Sequence, residues 1–474
     1  MRASFLGFEI AKSGLQTAQT GLDVTGQNMS KMNTEGYSRQ VVEQSTVYYD
    51  STSYKYALMN SDKFGQGVSI TQINQIRDEF LDTRYRAANS EDSSLSKSLS
   101  ILTNIEEVFD ETLNDGLSVI LEEFYTRLQT LSSNTGDIEF SGLVRSSAQK
   151  ITETLNYYNK QLETINEQEK FDLSVSIQDI NTLTEKIVQM NKAVQFETLQ
   201  GNPTNELLDT RNLYLDKLSS HINISTESNT DGTISVKVGS QYLIDSKHAS
   251  VATVSLQDDT DGLAIITESG ELEVISGDLK GYLDTLNGNG AYAEDSGNDF
   301  NGIPYYQKSL DDFAKSFAEM FNELNSTEKP LFAGDSASTI ILSEEWLKNS
   351  NYITTTTSSD PSEGMNDNIL RMIIALDSPR QISDKFNGAF DEYVSKLMTD
   401  IAIDVNFAFD MSKTASTVLS SVDNQREAIK GVSLNEETVN LMKYQKAFEA
   451  SARVMTALDE MLDTIINRMG TVGR

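Results

Sequence analysis

The chain has 474 residues, of which 38% are hydrophobic and none is cysteine. This length suggests about three domains, and the lack of cysteine excludes disulfides, thiolate metal sites and cysteine nucleophiles. The net charge of −33, from 71 acidic and 38 basic residues, argues against nucleic acid and anionic membrane surfaces as partners. No segment approaches the roughly 18 apolar residues of a membrane span.

A long amphipathic helix is predicted at the N-terminus. Residues that advance in steps of three and four are nearly all apolar. This stripe consists of Phe8, Ala11, Leu15, Ala18, Leu22, Thr25, Met29 and Met32. The helix would be roughly 45 Å long, and its narrow stripe, rich in small residues, favours contact with another helix. Glu9 and Lys12 interrupt the apolar run that a cleaved export signal requires.

The segment NTEGYSRQ, residues 33–40, follows this helix. It contains no base or nucleophile with a partner, so a catalytic loop is disfavoured. Asn33 and Gly36 indicate the end of the helix and a chain reversal that needs a permissive backbone. An ordinary helix stop explains these two residues but not the four that follow them.

Residues 75–220 are predicted to be helical almost throughout, because apolar residues recur at three and four positions. Two of the longer helices are expected within 143–168 and 175–194. Breaks are expected where glycine, asparagine and proline cluster, at 114–116, 134–137 and 200–205. The lengths favour an elongated helical bundle.

The pattern changes at His221, where polar and β-branched residues begin to alternate. Asp231–Gly232 and Ser269–Gly270 are turn pairs between such runs. We therefore expect 221–277 to form a small antiparallel β-domain inserted into the helical rod. A glycine- and acid-rich loop follows at 287–302. Helix is predicted to return at 306–325 and again over 366–423.

A second long amphipathic helix is predicted at the C-terminus. Ser433 and Glu436 have the spacing of a capping box at its start, and Gly470 is a stop signal. Its stripe consists of Leu441, Tyr444, Phe448, Ala452, Met455, Leu458, Leu462, Ile465 and Met469. The terminal helices are expected to pair as an antiparallel coiled coil that is stable mainly in contact with copies of itself. A terminal pair that caps a monomeric bundle is the alternative.

The sequence offers no catalytic or metal-binding constellation. His221 and His248 belong to no HExxH motif, and neither phosphate-loop nor nucleophile-elbow motifs occur. The acidic segments 258–261 and 295–299 lack the spacing of a calcium loop. The single tryptophan, Trp346, is expected in the core. We therefore expect no enzyme activity, no cofactor and no bound metal.

Several blocks in a fixed order resemble one family. The N-terminal block is SGLQTAQTGLDVTGQNMSKMNTEGYSRQ, and the C-terminal block is GVSLNEETVNLMKYQKAFEASARVMTALDEMLDTIINRMG. In the first, the matching positions are Asn28, Met29, Ser30, Asn33, Thr34, Gly36, Tyr37, Ser38, Arg39 and Gln40. Lys31 stands where the family usually has asparagine. The chain resembles the bacterial flagellar axial proteins, and most closely the hook-associated protein 1 family.

This resemblance implies a structural component of the flagellum that forms the junction ring between hook and filament and permits filament assembly. The expected partners are copies of the chain, the hook protein, the second hook–filament junction protein and a cytoplasmic export chaperone, with neither nucleic acid nor membrane insertion. Export by the flagellar type III machinery would place the protein outside the cell, at that junction. The alternatives are another axial protein, of hook or filament type, and a secreted adhesin with flagellar-type termini.

The resemblance also implies a division into domains. The inner core would be 1–60 and 426–474, the helical rod 61–220 and 301–425, and the outer β-rich domain 221–300. The residues expected at the assembly interface are Phe8, Leu15, Ala18, Leu22, Met29, Asn33, Gly36, Tyr37, Arg39, Gln40, Leu441, Tyr444, Phe448, Ala452, Met455, Leu458, Leu462 and Ile465. Tyr37 would anchor the connector between core and rod, and Arg39 and Gln40 would donate hydrogen bonds between subunits.

Overall fold

A computed structural model describes residues 6–47, 67–110, 116–259, 262–293, 298–358 and 364–464. Most of these residues are helical. The helices are α1 (Leu6–Ser30), α2 (Glu79–Val108), α3 (Leu117–Ser133), α4 (Ile138–Gln200), α5 (Asn205–His221), α6 (Asp278–Asn287), α7 (Ile303–Asn325), α8 (Glu344–Lys348), α9 (Asp367–Asp377), α10 (Phe390–Lys430) and α11 (Leu434–Asp463). The predicted class, mainly α with small antiparallel sheets, is confirmed.

The strands form small antiparallel sheets. They are β1 (Gln40–Thr46), β2 (Val68–Gln75), β3 (Ser225–Ser228), β4 (Ile234–Val238), β5 (Gln241–Asp245), β6 (Ser250–Val251), β7 (Ser255–Asp259), β8 (Gly262–Thr267), β9 (Gly270–Glu271), β10 (Phe332–Ala333), β11 (Ile341–Leu342), β12 (Arg380–Ser383) and β13 (Phe386–Gly388). Strands β3–β6 form one sheet and β7–β9 another, and the rest pair as β1–β2, β10–β11 and β12–β13. Gly232 and Gly270 have φ values of +81° and +122°, as the predicted turn pairs require.

Helix α4 is 63 residues long, which corresponds to roughly 95 Å. The prediction of two helices, within 143–168 and 175–194, is wrong, because the two segments are parts of this one helix. The intervening sequence EKFDLS contains neither glycine nor proline, so nothing in it ends a helix. The helix ends instead at Gly201, whose φ of +76° gives a left-handed cap, within the break predicted at 200–205.

Aromatic side chains fill the core between α3, α7 and the segments after α7. The Phe321 ring lies 4.8 Å from that of Phe317 and 5.3 Å from that of Phe124. Trp346 is fully buried, with its ring centre 5.6 Å from that of Phe332. The prediction that Trp346 is a core residue is confirmed.

Two asparagines attach the β-strands to α4. The Asn191 side chain donates to the Ile234 carbonyl (2.8 Å) and accepts from the Ile234 N–H (3.1 Å). Asn181 makes the same pair of bonds with Val254, at 2.8 and 2.9 Å. Each side-chain amide therefore bonds both the N–H and the carbonyl of one residue, as a neighbouring strand would. These bonds hold the β-region on the long helix.

The structure differs from the predicted elements in three further places. Strands β1 and β2 form a hairpin that the sequence did not indicate, and it crosses the boundary drawn between 1–60 and 61–220. The hairpin of β12 and β13 interrupts the helix predicted over 366–423. His221, expected in a β-region, is the last residue of α5. Strands β1 and β2 are largely polar and exposed, and β12 and β13 have only four and three residues, so the apolar alternation that would reveal them is weak.

Candidate assembly interface

Helices α1 and α11 pack antiparallel along a seam of glycines. A β-carbon placed on Gly7 would lie 3.4 Å from Leu458, and one on Gly14 would lie 2.9 Å from Ser451. One on Gly21 would lie only 2.5 Å from the Tyr444 ring. The contacts advance by seven residues on each helix, which is the recurrence of a coiled coil. Because glycine has no side chain, the backbones of α1 and α11 can approach closely at these positions.

The large residues of the predicted N-terminal stripe flank this seam. Ala11, Ala18 and Thr25 are buried, whereas Phe8, Leu15, Leu22 and Met29 are half-buried and Met32 is exposed. The predicted face of α11 is confirmed, because the described stripe residues are half-buried whereas most other residues of the helix are exposed: Leu441, Tyr444, Phe448, Ala452, Met455, Leu458 and Leu462. Ile465, Met469 and Gly470 lie outside the described residues. The apolar periodicity did not indicate Gly7, Gly14 and Gly21 as contact residues, although they recur every seven residues in the sequence.

Asn28 continues the seven-residue series after Gly21, and it is the centre of a buried hydrogen-bond network. Its Oδ1 accepts from the Tyr37 hydroxyl (2.8 Å) and from the Gln40 N–H (3.0 Å). Its Nδ2 donates to the Gln40 carbonyl (2.9 Å) and to Glu437 Oε2 (3.1 Å). The amide thus uses all of its bonding capacity, and it joins α1, the connector 33–40 and α11.

Arg39 binds α11 to the connector. Its Nε donates to Glu437 Oε1 (2.8 Å), and its Nη1 donates to Glu436 Oε2 (2.7 Å). Glu437 is 1% exposed and is the one buried residue among those described in α11. The predicted capping box is wrong, because Ser433 makes no side-chain cap bond and Glu436 pairs with Arg39 instead. Asn33 is exposed, and Gly36 has a φ of +79°, as the predicted chain reversal requires.

A second layer of ion pairs joins the connector to helices α2, α5 and α10. Arg77 donates to both oxygens of Asp82, each at 3.0 Å, and to the hydroxyl of Ser38 (3.1 Å). Arg426 of α10 pairs with Asp82 of α2 (2.8 Å) and with Asp216 of α5. Sequence reasoning missed these residues, because the partners come from distant parts of the chain. Together they hold the connector on these three helices.

Burial and charge shift the pKa values in this network. Burial, with the carboxylates of Asp209, Glu206 and Glu437, raises the pKa of Tyr37 to about 12. Burial also raises the pKa of Asp209. Burial opposes ionisation of Asp82 as well, but the hydrogen bonds and charge of Arg77, with other arginines, hold its pKa below the usual value. At neutral pH, Tyr37 is therefore a hydrogen-bond donor and Asp82 an anion.

Replacing Tyr37 with phenylalanine should lower the free energy of unfolding by about 1 kcal/mol, because Asn28 loses one donor. The raised pKa also predicts a pH effect. The contribution is fully present below the ordinary tyrosine pKa, about 10, and is lost as the pH rises through about 12. Urea unfolding of the wild type and the variant at pH 7 and pH 11 measures the stability difference and its pH dependence. A difference between wild type and variant that does not shrink at pH 11 would contradict this account.

The comparisons with known proteins agree with this architecture. Residues 102–336 match the family model of the flagellar hook-associated protein FlgK helical domain, and residues 428–469 match that of the flagellar basal body rod FlgEFG protein C-terminal region. Flagellar hook-associated protein 1 of Bacillus subtilis (strain 168) is 28% identical over 513 residues, covering 100% of both chains. The chain belongs to the flagellar hook-associated protein 1 family.

Other members and a solved structure are consistent with this membership. The hook-associated protein 1 of Escherichia coli (strain K12) is 22% identical, over 96% of this chain and 98% of that protein. The structure of the flagellar hook junction protein FlgK from Burkholderia pseudomallei superposes with a TM-score of 0.62 at 12% identity, and the match covers 73% of this chain and 100% of that one. That likeness confirms the fold. The predicted family and the predicted role in the hook–filament junction are confirmed.

Hook-associated protein 1 is a structural component of the flagellum, yet this chain contains a serine, a histidine and an aspartate in contact. Ser176 Oγ and Asp278 Oδ2 lie 2.9 and 2.8 Å from the same atom, His221 Nδ1. In a catalytic triad the serine and the carboxylate contact opposite ring nitrogens. This cluster therefore lacks the triad geometry, and it ties the end of α5 to α4 and α6.

The Asp278→Asn substitution should change how stability depends on pH. Burial lowers the pKa of His221, but the hydrogen bond and charge of Asp278 outweigh it and raise the pKa above the usual value. Stabilisation is therefore fully present below about pH 6.5 and is lost as the pH rises through the folded-state pKa. We expect the variant to lose about 1 kcal/mol at pH 5.5 and much less at pH 8.5.

Urea unfolding at the two pH values measures this difference. Asp245→Asn is the matched control, because Asp245 also pairs with a histidine, His248, whose side chain is 78% exposed. An equal pH response in the two variants would contradict the assignment to His221.

Neither metal ligands nor membrane spans are found in the described part of the chain. Its His, Asp and Glu residues form no group of three or more that could hold a metal ion. None of its helices is both long and apolar enough to cross a membrane.

Proposed function

We propose that copies of this chain form a ring at the junction between hook and filament, and that this ring permits filament assembly. In this proposal the protein is exported and acts outside the cell, between the hook protein and the second junction protein. A cytoplasmic export chaperone would hold α11 before export. The role is structural, and the chain performs it by assembly rather than by catalysis.

The observation that carries the proposal is the incomplete burial of the α1–α11 pair. In the single chain, α11 contacts α1 on one face, and Glu437 is its one buried described residue. Large apolar side chains on its other faces are exposed by half or more: Val439 (59%), Met442 (52%), Val454 (51%) and Met461 (60%). Exposed apolar surface of this kind favours association. We infer that α1 and α11 of neighbouring copies cover it.

The connector network supports a division into an inner core and a rod, as expected from the family. We propose that α1 and α11 form the inner core and that Asn28, Tyr37 and Glu437 mark its boundary with the rod. Within one chain, Arg39 already donates to Glu436 and Glu437, and the main chain of Gln40 binds Asn28. The Gln40 side-chain amide nitrogen is buried within the single chain, whereas the Arg39 side chain is 18% exposed, so the proposed bonds between subunits would come from Arg39. The β-strands over 225–271 would form the outer domain.

Immuno-electron microscopy of intact flagella tests the junction role. An epitope inserted beside His248, whose side chain is 78% exposed, would leave the connector and the helix pair untouched. We expect label confined to the boundary between hook and filament. Label along the filament would instead support a filament-type protein, and label on the cell surface without flagella would support an adhesin.

A further inference from the structure

A polar groove lies between α2, α5 and the strands β2, β3 and β4. Its volume is about 590 Å³, and its lining includes three arginines, Arg77, Arg86 and Arg211. Two acids, Glu79 and Asp82, also line it, together with neutral polar groups such as Asn212 and Thr226. Three buried or half-buried cations around one groove are unusual in a chain with a net charge of −33.

Two acids near this groove, Asp82 and Asp216, are already paired with arginines. Asp82 is bound by both oxygens to Arg77 and also pairs with Arg426. Arg86 pairs with Asp216 at 2.9 Å. Glu79 is exposed at the surface. None of the described carboxylates, Glu79 included, forms an ion pair with the third arginine, Arg211.

Arg211 is 6% exposed, and no described carboxylate lies within ion-pair distance of it. Its Nη1 donates to two neutral acceptors, Asn191 Oδ1 (3.0 Å) and the Gly232 carbonyl (2.7 Å). Its Nε is buried and has no acceptor among the described residues. Burial, with the charges of Arg86 and Arg77, lowers its pKa to about 10. A buried cation with a free donor is costly unless an anion compensates it.

We propose that this groove binds a small oxyanion of the phosphate or sulfate class, held mainly by Arg211. Guanidinium groups suit such ligands, because their fixed N–H groups match the oxygens and their charge strengthens each bond. Arg77 and Arg86 are each paired with a carboxylate, so Arg211 supplies the uncompensated charge. The site lies outside the α1–α11 pair, since none of its lining residues belongs to those helices, but it shares Arg77 and Asp82 with the ion pairs that hold the connector.

Isothermal titration of the full chain with inorganic phosphate, in chloride buffer at constant ionic strength, tests the proposal. We expect one site, and we expect Arg211→Gln to weaken binding by about tenfold to a hundredfold, because it removes a charged donor. The matched control is Arg145→Gln. Arg145 also donates to backbone carbonyls, those of Trp346 and Leu347, but it is not among the groove's lining residues. No binding heat, or equal affinity in both variants, would overturn the proposal.

A second variant keeps the test decisive if Arg211→Gln fails to fold. Asn212 accepts from Arg86 Nη2 (3.1 Å), so Asn212→Asp has the same shape and places a carboxylate in the groove. We expect it to raise the melting temperature in the absence of phosphate and to weaken phosphate binding about tenfold or more. Unchanged phosphate affinity in this variant would contradict the site.

Discussion

Replacing Glu437 with alanine should lower the free energy of unfolding by about 2–3 kcal/mol and release the start of α11 from Asn28 and the connector. The carboxylate is almost completely buried and accepts from both Asn28 and Arg39. Without it, a buried amide donor and a partly buried guanidinium lose their acceptor, which costs more than the pair contributes when intact. Hydrogen exchange of the α11 amides and urea unfolding measure the effect. In cells, the same variant should carry fewer filaments on otherwise normal hooks.

The adjacent glutamate supplies a matched control. Glu436 also accepts from Arg39, but its side chain is 61% exposed. Exposed ion pairs contribute little, so Glu436→Ala should change the free energy of unfolding by at most about 0.5 kcal/mol. If the two alanine variants were equally stable, the buried network would not be what attaches α11.

Replacing Gly21 with leucine should cost about 2–3 kcal/mol and separate α1 from α11. Even the β-carbon would lie 2.5 Å from the ring of Tyr444, so the ring or the helix must move. This loss exceeds the roughly 1 kcal/mol that leucine gains over glycine in helix propensity. Exchange rates of the α1 and α11 amides, and the assembly of copies at high concentration, report the separation.

Gly26→Leu separates the steric effect from helix propensity. Nothing lies within 4 Å of a β-carbon at Gly26, so this variant should be neutral or more stable by about 1 kcal/mol. Adding Tyr444→Ala to Gly21→Leu should restore part of the lost stability, because the leucine then fills the space of the ring. Strictly additive effects of the two substitutions would show that they do not meet at the seam.

Local patterns in the sequence predict much of this fold. The stripe from Leu441 to Leu462 indicated the correct face of α11, and the turn at Asp231–Gly232 was correct. The face of α1 was only partly predicted, because close packing there depends on glycines rather than on large apolar residues. The network around Asn28 was beyond prediction. Its partner Glu437 is 409 positions away, and no periodicity identifies which polar residues meet over such a separation.

The seven-residue recurrence of the seam restricts how the length of the helix pair can change. Gly7, Gly14, Gly21 and Asn28 lie at the same angular position of the repeat, and the network at Asn28 fixes the phase at one end. One residue inserted between Gly14 and Gly21 would rotate the part of α1 that precedes it by about 100°. Gly7 and Gly14 would then face away from α11. A matched insertion of a whole repeat in both helices would preserve every contact. The α1–α11 pair can therefore lengthen or shorten without loss of its contacts only by whole heptads.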